Sequence, residues 1–144
     1  MLSLLFAGSI TGCPLPEKKT GEVLVEQVEL RMAPAGASTA AVYFTLRNST
    51  QLADTLVHIT SPAGTISLHS TMLHDDGVVM MTPMPRAAIP ASTTLLFKVG
   101  ERHGMLEQFS GPLHVNDSVS LTFEFARRKP IAVTVRVHAV GVEE

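Results

Sequence analysis

Residues 118–138 read SVSLTFEFARRKPIAVTVRVH. Val119, Leu121, Phe123 and Phe125 alternate with Ser118, Ser120, Thr122 and Glu124. After the turn Arg127-Arg128-Lys129-Pro130, Ile131, Val133, Val135 and Val137 alternate with Ala132, Thr134, Arg136 and His138. Successive strand side chains point to opposite faces, so a period of two over eight residues marks a strand with one apolar face. Two such runs joined by a polar tip predict an antiparallel hairpin, its tip a solvated charge run.

The same reading extends toward the N-terminus. Val23 and Val25, then Val28, Leu30 and Met32, keep the period but slip near Glu26–Gln27, as a bulge would. Pro34-Ala35-Gly36-Ala37 turns the chain, and Val42, Phe44 and Leu46 form a half-buried strand ended by Asn48-Ser49-Thr50. Further strands are predicted over 55–60, 65–69, 78–81, 93–99 and 104–109. Asp75-Asp76-Gly77 supplies the positive φ of a tight hairpin turn. Pro83, Pro85 and Pro90 interrupt pairing, so 83–91 reads as loop. About nine short strands without an amphipathic helix predict an all-β sandwich or barrel.

Composition bounds the function. The chain has 144 residues, enough for one domain. Its 11 Lys+Arg against 13 Asp+Glu lack the basic excess of a nucleic-acid binder. No apolar run is long enough for a spanning helix. The single Cys excludes an intrachain disulfide and an all-thiolate metal site. Cys13 follows the apolar Leu4-Leu5-Phe6-Ala7 and the small Gly8, Ser9 and Gly12, and precedes Pro14, Pro16, Lys18 and Lys19. That order resembles a bacterial lipoprotein signal. It predicts removal of 1–12, lipidation of Cys13, a linker over 13–21 and a folded domain over 22–141. The protein would then be extracytoplasmic, touching the membrane only through a lipid anchor.

Residues 69–105 concentrate soft donors. His69, His74, His103, Met72, Met80, Met81, Met84 and Met105 are eight of the chain's thirteen His and Met. Thioethers select Cu(I), and imidazole binds copper well. A thioether forms no disulfide, so it remains a ligand in an oxidising compartment. His103-Gly104-Met105 carries donors at i and i+2, hence on one strand face, with Gly104 read as leaving the space between them open. The pleat admits either Met80 or Met81 beside them, and His69 lies on the opposing arm of the hairpin. Met32, Met72 and Met84 read as core filler and His74 as a solvated turn residue.

These residues resemble the periplasmic copper chaperones of the PCuAC type, whose motif is His…Met…His-x-Met. Twenty-one residues, Thr82 to Arg102, separate Met81 from His103, as in that family. Eleven residues, Ser70 to Met80, follow His69, one more than the family's ten, which keeps Met80 open as an alternative. Leu68-His69, Ile89-Pro90-Ala91 and the strand Ala40–Asn48 are similar to further family segments. The resemblance implies a cupredoxin-like Greek-key β-sandwich. It implies one Cu(I) per chain on His69, Met81, His103 and Met105, at a surface site. It also implies an acceptor in the CuA subunit of cytochrome c oxidase, with a thiol-disulfide assembly factor assisting, and a monomeric carrier.

Enzyme readings find no support, since no Ser-His-Asp set, phosphate-cradling Gly loop or HExxH motif is present. A blue-copper electron carrier needs a thiolate beside its histidines, and Cys13 lies outside the domain. The alternatives are a metal-free β-sandwich adhesion or assembly module, and a periplasmic copper storage or resistance protein.

Overall fold

The computed structural model describes residues 21–34 and 37–141. The signal segment 1–12, Cys13 and the linker up to Thr20 lie outside the described residues, as do Ala35, Gly36 and 142–144. Ten strands make up the domain: β1 Val23–Met32, β2 Ala40–Asn48, β3 Asp54–Thr60, β4 Thr65–Leu73, β5 Val79–Pro83, β6 Ala87–Ile89, β7 Thr93–Phe97, β8 Arg102–Glu107, β9 Ser118–Phe125 and β10 Ile131–His138. No helix occurs among the described residues.

The strands run in the order β5-β4-β8-β2-β1-β10-β9-β3-β6, with β7 also on β2. The parallel ladder of β1 with β10, Leu30 opposite Val137, joins the two halves of the sandwich. The remaining pairings are antiparallel. The slip in β1 is a bulge between Glu26 and Glu29, and Gln27 adopts a φ of 50° there. The β9–β10 hairpin closes as its alternation requires, with Val133 opposite Leu121.

The apolar faces meet in one core. Phe44 of β2 stacks on Phe97 of β7 with centroids 4.1 Å apart and meets Phe123 of β9 edge-on at 5.0 Å. Leu30, Val42, Leu46, Leu106, Leu121 and Val137 complete it, all fully buried. Buried Asn48 has its amide shared among the Leu52, Ile89 and Pro90 carbonyls, and its oxygen accepts from Thr50. A satisfied polar group thus fixes the end of β2 where the sequence predicts a stop.

Two expectations need correction. The segment 83–91 is not wholly loop: Ala87–Ile89 pairs with β3, Ile89 opposite Asp54. A strand of three residues set between Pro85 and Pro90 is too short to show a period, and Pro is tolerated at the ends of such an edge strand. The hairpin tip is not simply solvated. Arg128 donates to Asp54, whose side chain is fully buried, and the same carboxylate accepts from the Thr55 and Arg127 N–H groups. Burial works against the charge on Asp54, but Arg128 and these N–H donors outweigh it and hold its carboxyl below the usual carboxylate range.

Candidate metal centre

β2 has one edge shared by two strands. β8 pairs with its first half, Ala40 to Val42, and β7 with its second, Phe44 to Asn48. Between them the chain leaves the sheet at 98–101, where Gly100 has a φ of 79°. The return into β8 brings in His103. The Glu101 carbonyl accepts a hydrogen bond from the Thr71 N–H at 3.1 Å and lies 3.2 Å from His103 Nδ1. A carbonyl only accepts, so this contact puts the ring proton on Nδ1 and leaves the Nε2 lone pair free.

Register then assembles the donors. His69 of β4 stands directly opposite His103 of β8, and Ser67 opposite Met105. On the other side of β4, Thr71 stands opposite Met81 and Met72 opposite Met80. Residues directly opposite share a face, as do residues two apart on a strand. His69, Met81, His103 and Met105 therefore share the outer face of three adjacent strands. Met80 points to the other face with Met72.

The two imidazole rings have centroids 5.9 Å apart and planes inclined by 29°. Met81, His103 and Met105 line a cleft of about 520 Å³, with Met32, Tyr43 and Val140 forming apolar walls. His69 is not among the lining residues and joins the group through its register with His103. Exposure is graded across the donors. His103 is 8% exposed, His69 and Met105 are half-buried, and Met81 is 49% exposed. The four side chains thus range from the buried His103 to the exposed Met81.

The chemistry of this set fits a soft cation. His69 Nδ1 is buried without a hydrogen-bond partner, and so is Ser67 Oγ on the same face. An unpartnered buried polar atom costs free energy that a bound group would recover. No cluster of three His, Cys, Asp or Glu side chains occurs among the described residues. The donors that converge here are two imidazoles and two thioethers, a combination suited to Cu(I) and poor for zinc or calcium.

Gly104 has a different role from the one read in the sequence. Its bare side faces inward, away from His103 and Met105. A Cβ there would lie 3.0 Å from Val42 Cβ, so glycine permits the close approach of β8 to β2. The other histidines stand apart from this face: His58 is on β3, His114 pairs loosely with Asp117, and His138 ends β10.

The chain is similar to known proteins along most of its length. Residues 23–137 match the profile of the family described as "Putative lipoprotein LpqE-like". "Putative lipoprotein Lxx21020" of Leifsonia xyli subsp. xyli is 27% identical over 138 residues, 88% of this chain and 82% of that protein. The copper-bound PCuAC domain from PmoF2 superposes with a TM-score of 0.66 at 19% identity, over 83% of this chain and 95% of that one. The Cu(I)-bound form of DR1885 from Deinococcus radiodurans superposes with a TM-score of 0.64 at 26% identity, over 80% of this chain and 76% of that one. The chain belongs to the LpqE-like family and has the cupredoxin-like β-fold of the PCuAC copper-chaperone domains.

Proposed function

We propose that the protein is an extracytoplasmic Cu(I) carrier, holding one ion between His69, Met81, His103 and Met105. The observation that carries this reading is the convergence of two imidazoles and two thioethers on one face of β4, β5 and β8. The copper-bound states of PmoF2 and DR1885, which share this fold, support it. Copper is cargo here, not a resident cofactor, and no catalytic step is assigned to the chain. Buried His103, with its Nδ1 proton held by the Glu101 carbonyl, anchors the ion. Exposed Met81 is the donor an incoming ligand would displace first. Transfer then proceeds by replacing ligands one at a time.

The acceptor in this proposal is the CuA subunit of cytochrome c oxidase, with a thiol-disulfide assembly factor assisting. Cleavage before Cys13 and its lipidation would tether the domain through the linker 13–21. The lipoprotein naming of the family and of the Leifsonia relative supports that address.

The test is an anaerobic Cu(I) titration against a competing chelator, with X-ray absorption on the loaded protein. One tightly held equivalent with two nitrogen and two sulfur neighbours is expected. Absence of tight binding, or an all-nitrogen and oxygen shell, would overturn the reading. Mixing the loaded protein with the copper-free CuA domain then tests the acceptor.

A further inference from the structure

The β4–β5 hairpin carries a second set of soft donors that the site above does not use. Met72 and Met80 are direct cross-strand partners on the face opposite Met81. Such pairs hold their Cα atoms about 4.5–5.5 Å apart, within reach of two thioethers sharing one ion. Lower on β4 this face is core, with Leu68 buried. At the hairpin end nothing covers it among the described residues, and Met72 is 58% and Met80 49% exposed. Methionine normally fills core gaps, and these two fill none.

A third donor stands in line. The His74 N–H donates to the Val78 carbonyl at 2.9 Å, so the ladder continues one pair beyond β4. His74 is two residues beyond Met72, the same i, i+2 spacing that relates His103 and Met105. Asp75 and Asp76 in the adjoining turn make this end of the hairpin favourable to a cation. Arg102 stands opposite Ser70, one same-face position further down.

We infer that Met72, Met80 and His74 form a second, weaker Cu(I) site, one strand thickness from the first across the same hairpin. It takes the ion from solution or from a donor and yields it around the β5 edge to Met81. The inference extends the carrier reading and rests on it for the identity of the metal.

The test is methyl-labelled methionine NMR of the reduced protein during Cu(I) addition, in the native chain and in Met72→Leu/Met80→Leu. Leucine keeps the exposed apolar volume and removes only the sulfurs. In the native chain the first equivalent should shift the Met81 and Met105 methyls. A second, about a hundredfold weaker, should shift those of Met72 and Met80. The double variant should keep the first event and lose the second, and His74→Gln should weaken only the second. Met72 and Met80 methyls that never move, or a second event that survives the double variant, would overturn the inference. Movement of these two methyls without those of Met81 and Met105 would sustain it and sink the four-donor site instead.

Discussion

His69 and His103 are direct cross-strand partners on β4 and β8, their rings 5.9 Å apart and inclined by 29°. The pair places two nitrogens at one level of one face, on strands that are paired on both sides. The imidazoles are therefore the firm half of the donor set. Replacing either by Ala should weaken Cu(I) binding by on the order of a hundredfold, measured by chelator competition. If the two act on one ion, the double replacement should cost far less than the product of the single losses. Independent, multiplying effects would contradict a shared site.

The two neighbouring methionines should behave differently. Met81→Leu should lower the affinity of the tight equivalent by about tenfold or more, whereas Met80→Leu should leave that equivalent unchanged. The opposite ranking would mean that the hairpin register differs in the loaded protein.

Gly104 offers a test of the backbone beneath the site. Gly104→Ala places a Cβ 3.0 Å from that of Val42, so β8 or β2 must give way. A loss of about 1–3 kcal/mol in chemical denaturation is expected, as for other overpacked positions. Copper affinity should fall with it, because His103 and Met105 flank the displaced residue. Full stability with weakened binding would show that the glycine serves the site rather than the packing.

Asp54 predicts how stability depends on pH. Its carboxyl is held below its ordinary value in the folded protein, so the ionised form favours folding. That contribution is complete above the unfolded value of about 3.9 and is lost as pH falls through the lower folded value. Urea midpoints should therefore drop below about pH 4 in the native chain and vary less in Asp54→Asn. At pH 7 that variant should be about 2–3 kcal/mol less stable, since Arg128 loses its buried partner.

Legibility in the sequence followed the range of the interaction. The β9–β10 alternation, the β1 bulge and the Asp-Gly turn are local, and each was visible as a period, a slip or a turn signal. β6 was not, because Ala87–Ile89 owes its strand state to β3, some thirty residues away in the chain. The four donors were visible as an enrichment of His and Met. The spacing already puts His103 and Met105 on one face, but which of Met80 and Met81 joins them was not visible, because that parity depends on where β5 registers against β4. The burial of His103, 8% exposed, was not legible either, because the cleft it shares with Met32, Tyr43 and Val140 is lined by residues far apart in the chain. Gly104 was recognised as special, but its reason, Val42 behind it, lay across a strand pairing.

β5 is a terminal strand of the sheet, bonded among the described residues to β4 alone, whereas β8 is bonded on both sides. Edge hairpins open at free energies well below that of global unfolding. An ion held by Met81 and His103 would therefore act as a rivet between the loosest and one of the firmest strands. Loading should slow amide exchange along Val79–Pro83 while leaving the core protons of β8 nearly unchanged. The lifetime of the cargo would then be set by the breathing of one hairpin, and a recipient that stabilised its open form would shorten it without the domain ever unfolding.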